Sequence, residues 1–217
     1  MAGEPLQILD HAKFRDIHRT FLYIRCPEAM EDIAGVVDVM PEADGLLTYC
    51  YVERDHGLKF YILCSGKLQD GSVVTGPDVS EAGARIPFED ARYYPYLAQE
   101  ALGLDMSRYA EAVGRIGETL ELNDRIPRMA VDLELLDRAR NIEVPDCVSV
   151  VLQQEGLLPE LIWARVTGFG RQEIFGEVLN APGQPGYGLA PGQRIGFRMI
   201  DYGEGITLMW DPALTAE

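Results

Sequence analysis

The chain predicts an α+β protein ending in a small β-barrel, and three stretches carry that expectation. From about Cys147 to Asp211, short β-branched and aromatic runs are separated by glycine and proline turns, the pattern of a small closed barrel. The first part alternates strand and helix periodicities, and the middle shows the 3.6-residue spacing of amphipathic helices. The expected organisation is an α+β domain over 1–140, comprising an N-terminal β-α-β-β unit and a central helical segment. An SH3-like or OB-like β-barrel follows over 141–217.

Taken in order, Arg19 to Arg25 is aromatic and β-branched and reads as a strand. After Pro27, apolar residues at Met30, Ile33, Val36, Val37 and Met40 have helical spacing, with acids at the start where the helix dipole favours them. Leu46–Glu53 and Leu58–Cys64 form a hairpin joined through Asp55, His56 and Gly57. Cys50 and Val52 should share one face with Phe60, Ile62 and Cys64; Tyr49 and Tyr51 should share the other with Tyr61 and Leu63. Residues 69–87 read as loop, and helical spacing returns over Phe88–Leu102, Met106–Leu122 and Pro127–Ala139. Tyr93, Tyr94 and Tyr96 are assigned to helix packing. Barrel strands are expected near Cys147–Gln153, Leu161–Gly168, Glu173–Leu179, Arg194–Ile200 and Ile206–Trp210. Between the third and fourth, Ala181–Gln184 and Ala190–Gln193 repeat Ala-Pro-Gly-Gln, each suited to a type II turn.

The formal net charge is -16, from 19 Lys+Arg against 35 Asp+Glu, which disfavours nucleic acid and anionic membrane as partners. Only Lys13, Lys59 and Lys67 are lysines, so positive charge is almost all arginine, suited to planar pairing with carboxylates. No run approaches the roughly 20 apolar residues of a membrane span, and the N-terminal residues lack signal-peptide character. Cys26, Cys50, Cys64 and Cys147 form no C-x-x-C pair and read as buried thiols of a cytoplasmic protein.

Four segments of the last third resemble a bacterial barrel domain of unknown function, whose pattern runs E-x-x-W-V-x-V, G-x-[LV]-x-N-x-P, G-D-x-V-x-F and I-x-D-W. Glu160, Trp163 and Val166 match the first, with Ala164 in place of valine; Gly176, Val178, Asn180 and Pro182 match the second. Gly192, Ile195 and Phe197 match the third, with Gln193 in place of aspartate; Met199, Asp201 and Tyr202 match the last, with Met and Tyr replacing Ile and Trp. The resemblance spans about a third of the chain and implies proximity to toxin–immunity systems, with no mechanism attached. These positions also have structural readings. Trp163 and Phe197 should fill the barrel, Gly176 should permit a bulge or close approach, and Asn180 and Asp201 should start turns, with Tyr202 covering the barrel end.

No G-x-S-x-G, H-E-x-x-H, Walker or Rossmann pattern is present. Cys64-Ser-Gly-Lys lacks the upstream glycine of a phosphate loop, and Asp70 stands where a cysteine phosphatase loop needs arginine. His11 and His18, with Asp10 or Asp16, have the residue types of a zinc site on a weakly patterned segment, and His18 with Cys26 could pair as base and nucleophile. A weakly patterned segment is a poor scaffold for preorganised metal ligands, and the Cys–His pair has no third orienting group or oxyanion site in view, so no metal, cofactor or catalytic residue is assigned.

The stronger candidates are surfaces. From Glu28 to Asp44 there are six acids and no base, and Glu28, Glu31, Asp32 and Asp38 should form the solvent face of the predicted helix. The expectation is a non-enzymatic acidic binding protein, of the immunity or inhibitor type, that engages a basic protein partner. The alternative is a small-molecule or peptide-binding barrel using the Asn180–Gln193 loop, with Asn180 and Tyr187 as binding residues. A hydrolase built on His18 and Cys26 is the third reading.

Overall fold

A computed structural model of the chain describes residues 6–53, 57–79, 84–203 and 205–214. It is mixed α+β and divides into two compact units, Met1–Glu121 and Leu122–Glu217.

The N-terminal unit is built on β1 (Gln7–Ile8), β2 (Phe21–Arg25), β3 (Gly45–Glu53), β4 (Gly57–Gln69), β5 (Ser72–Asp78), β6 (Arg85–Pro87) and β7 (Pro95–Ala98). Its sheet runs β1-β7-β2-β3-β4-β5, with β6 also on β4, and every pairing is antiparallel. The predicted β2 and β3–β4 hairpin are present; the hairpin residues 54–56, His56 among them, lie outside the described residues. Both faces of the hairpin are apolar, so both are covered. Tyr49, Tyr51, Tyr61 and Leu63 pack with Leu102, Tyr109 and Ile116, while Leu46 and Ile62 pack with Cys26, Met30 and Val37.

Cys64 sits on the tyrosine face, not with Ile62. The register moves from Leu47↔Cys64 to Thr48↔Ile62, so Leu63 is an extra residue and the strict alternation used to place Cys64 breaks there.

The short helices are α1 (Phe14–Ile17), α2 (Met30–Ile33), α3 (Phe88–Ala91), α4 (Gln99–Leu102) and α5 (Ala110–Thr119). Three expectations need correction. The helix over 28–40 is only a 3-10 turn, Pro27–Ala29, running into α2, because Gly35 and the β-branched pair Val36–Val37 follow immediately. The helix over 88–102 is broken by β7, since Pro95 opens a strand that Tyr96, Leu97 and Ala98 complete against Ile24, Tyr23 and Leu22. The segment 69–87, read as loop, supplies β5 and β6.

In the C-terminal unit, β8 (Cys147–Leu152), β9 (Glu160–Phe169), β10 (Glu173–Val178), β11 (Arg194–Asp201) and β12 (Ile206–Trp210) close into a five-stranded barrel. Neighbours follow chain order and are antiparallel, and the odd strand number leaves one parallel seam, β12–β8. The inward positions alternate strictly: Val148, Val150 and Leu152; Ile162, Ala164 and Val166; Ile174 and Val178; Ile195 and Phe197. Helix α6 (Arg125–Asp132) and the turn after it add Ala130, Leu136 and Ala139 to that same core. The unit accordingly begins at Leu122, with α6 belonging to it, upstream of the expected break at 140/141.

Gly176 faces inward at a bulge, and a Cβ there would meet the Arg165 carbonyl at 2.9 Å and the Phe197 ring at 3.0 Å. Phe197 fills the interior, but Trp163 points out and is 39% exposed, because Ile162 and Ala164 on either side take the inward positions. Tyr202 is also exposed and does not cover the barrel end. Asp201 starts its turn as expected, accepting the Gly203 N–H at 2.7 Å.

Candidate functional site

The acidic segment between β2 and β3 forms a rim along one face of the N-terminal sheet. Met30 and Val37 are buried against Leu46 and Ile62, which fixes which side turns outward. Ser65 on β4 holds the far end, accepting the Met40 N–H at 2.9 Å and donating to the Asp38 carbonyl at 3.3 Å. Glu28, Glu31, Asp32 and Asp38 are all exposed on this pinned backbone, and Val36 between them is 72% exposed. The four carboxylates thus share a solvent surface although the helix expected to carry them is a single turn.

None of the four is neutralised within the described chain. Elsewhere arginine neutralises acids as its abundance predicts: Arg92 on Asp10 at 2.6 Å, Arg25 on Asp44 at 2.8 Å, Arg19 on Glu121 at 2.6 Å and Arg198 on Asp211 at 2.9 Å. Glu42 and Asp44, the other acids of the segment, are held by Lys67 and by Arg25 with Tyr23. Glu28, Glu31, Asp32 and Asp38 form no ion pair with any described residue. Their field reaches neighbouring groups: the Tyr94 phenol is raised first by burial, then by Glu28 and Asp32 among others. Cys26 is pushed up to about 12 by burial, with Glu28 and Asp44 adding to it.

The loop of the alternative reading is committed to the barrel. Tyr187 is 4% exposed; its hydroxyl lies 2.7 Å from the Leu158 carbonyl and 3.2 Å from that of Leu152, and its ring meets Trp210 edge-on at 6.0 Å. Asn180 does not close a turn on its own backbone: its Oδ1 accepts the Trp163 N–H at 2.7 Å, tying the loop to β9. Of the two Pro-Gly repeats, Ala190–Gln193 makes the type II turn, with Gly192 at φ +84° and the Gln193 N–H on the Ala190 carbonyl. The first repeat instead presents the Gly183 and Gln184 N–H groups to the Glu160 carboxylate at 2.6 and 2.8 Å. The Gln184 side chain, with those two N–H groups, holds the Glu160 carboxyl below the usual range against a smaller opposing effect of burial. Matched positions of the barrel motifs, Glu160 and Asn180, are therefore loop anchors.

The histidine readings find no assembled site. His18 stacks on Phe14 at 4.6 Å, and the five residues of β2 stand between it and Cys26, roughly 17 Å of extended chain. All four cysteines are buried; burial raises Cys50 well above its ordinary value and Cys147 to about 11, away from the thiolate a nucleophile needs. Asp10, a proposed zinc ligand, is engaged by Arg92, and among the described residues no three His, Cys, Asp or Glu side chains converge on a metal position. Among those residues no helix is long and apolar enough to cross a membrane. What the sequence reading missed is a cleft beside β4 that Tyr61, Asp78 and Arg108 help to line, residues drawn from separate segments. Neither a known protein family, nor a curated protein, nor a solved structure matches the chain.

Proposed function

We propose that the protein is a non-enzymatic binding protein of the immunity or inhibitor type, which engages a basic protein partner through the rim of Glu28, Glu31, Asp32 and Asp38. The observation that carries this reading is four exposed carboxylates gathered on one pinned backbone around an exposed Val36, none paired within the described chain. A field of one sign speeds encounter with an oppositely charged surface, and exposed Val36 at its centre offers an apolar anchor once the surfaces meet. Burial of every cysteine, with each thiol raised, favours binding over thiol chemistry.

Copurification from the native host should recover a specific basic partner, in a complex that weakens steeply with salt. The double variant Glu31→Lys, Asp32→Lys should lower that partner's affinity by at least about tenfold, mostly through slower association. An unchanged affinity would refute the assigned surface.

A further inference from the structure

A cleft of about 210 Å³ opens in the N-terminal unit where the outer partner of β4 changes. Up to Tyr61 the strand pairs with β6, and from Cys64 it pairs with β5; at the changeover the Ile62 N–H donates to the Ala84 carbonyl at 3.0 Å and the Leu63 carbonyl accepts the Val79 N–H at 2.8 Å. The turn Met106–Tyr109 and helix α5 bring Arg108, Glu111 and Arg115 to the same cleft. The turn is fixed by Asp105, whose side chain accepts the Ser107 N–H at 2.9 Å.

Three observations define what such a cleft could hold. Tyr61 lines it with a ring that is almost wholly buried, while its hydroxyl makes no hydrogen bond with any described residue and is open to solvent, free to meet a ligand. The charged lining is balanced, Arg108 and Arg115 against Asp78 and Glu111, and Arg108 lies 2.5 Å from Asp78 and over the Tyr109 ring. The volume is modest: at about 30 Å³ per water it equals roughly seven waters, below the range usual for nucleotide-sized ligands.

A lone anion or a lone cation would satisfy half of this lining and be opposed by the other half. A ligand with both charges one carbon apart complements an arginine and an aspartate that already touch. We propose that the cleft binds a small zwitterion of free amino-acid size, its carboxylate received by Arg108 and the Tyr61 hydroxyl and its ammonium by Asp78 and Glu111. Val79 lines the same cleft and offers apolar surface to the ligand side chain.

The test is calorimetric titration of the full chain with each free L-amino acid, beside the matching amine without the carboxylate and the matching acid without the amine. At least one amino acid should bind saturably, with its single-charge analogues at least about tenfold weaker, a difference worth one charge-assisted hydrogen bond or more. Tyr61→Phe, which keeps the ring, should weaken binding by about threefold to tenfold, and Glu111→Gln should weaken it too. Failure of every amino acid to saturate overturns the proposal. Single-charge analogues that bind equally well, or binding that neither variant alters, also overturn it.

Discussion

Arg140 is the buried charge on which the C-terminal unit depends, and replacing it by methionine tests how that unit is held. Its side chain is 1% exposed, yet the guanidinium is fully engaged. It donates to the carbonyls of Ala130 at 2.9 Å and Leu133 at 3.1 Å, to that of Pro145, and to Asp137 at 3.0 Å. Ala130 lies in the last turn of α6 and Leu133 caps its end, where helix carbonyls lack intrahelical partners; Pro145 lies just before β8. One side chain therefore caps a helix and fastens it to the entry of the barrel. Methionine keeps most of the volume but removes this donor from the Ala130 and Pro145 carbonyls and an ion-pair partner from Asp137, while the Leu133 carbonyl keeps the Leu136 N–H at 3.1 Å. At about 1–3 kcal/mol per buried unsatisfied group, partly relieved by relaxation, the expected loss is about 3–5 kcal/mol. That is a large part of the roughly 5–15 kcal/mol of a whole domain. Trp163 and Trp210 are the only tryptophans, and both lie in this unit, so their fluorescence in a urea titration reports it alone. With a slope near 2 kcal/mol per molar urea, the midpoint should fall by about 2 M, and Arg140→Lys should fall between the two. A loss under about 1 kcal/mol would show that the carbonyls find water without cost and that the clamp is dispensable.

Two further outcomes follow from local geometry. Gly176→Ala should destabilise the barrel by about 1–3 kcal/mol in the same titration, because its Cβ would press on the Arg165 carbonyl and the Phe197 ring from inside a packed core. Cys26 should make the protein sensitive to alkali: its thiol ionises near 9 when unfolded and about 12 when folded, so the unfolded chain loses that proton first. Its contribution is full below pH 9 and fades as pH rises towards 12, by up to about 1.4 kcal/mol per pH unit; Cys26→Ala should flatten that part of the pH profile of urea midpoints.

The barrel was legible because its information is local. Period-two alternation and turn residues placed all five strands to within a residue or so at each end, as at Glu173–Val178 and Ile206–Trp210. Where long-range pairing overrides local spacing, the reading failed. Met30, Ile33, Val36, Val37 and Met40 have helical spacing, but the sheet buries only Met30 and Val37 among them, and the chain leaves the helix after one turn. Tyr96 and its neighbours look helical until β2 recruits them as a strand. Of the candidate surfaces, the acidic rim was visible as composition, since a run of acids without a base is exposed whatever its backbone does. Tyr187 was misjudged because a tyrosine in a Pro-Gly loop looks available until the hydroxyl is seen to span two carbonyls. The cleft beside β4 could not be read at all, since its charges meet only after the sheet and α5 are assembled.

The acidity itself admits two explanations, solubility and recognition, and the two differ in how they depend on position. With 35 acids and 19 bases, 16 carboxylates have no base to match them one for one, so unpaired acid alone argues nothing. Solubility depends on the total and is indifferent to where the excess lies. Recognition requires it to be concentrated on a surface of fixed shape, which the Ser65 bonds and the buried Val37 give to the rim. Glu100 on α4 and Glu118 on α5 are equally exposed but belong to helices whose Leu102 and Ile116 pack against the opposite face of the sheet. Reversing Glu100 and Glu118 to lysine changes the net charge as much as reversing Glu31 and Asp32. A role in recognition therefore predicts that the rim variant loses at least about tenfold in partner affinity while the helix variant loses at most about twofold, through the weakened long-range field alone. Equal losses in the two variants would mean that the partner senses only total charge, and the rim would then be ordinary acidic surface.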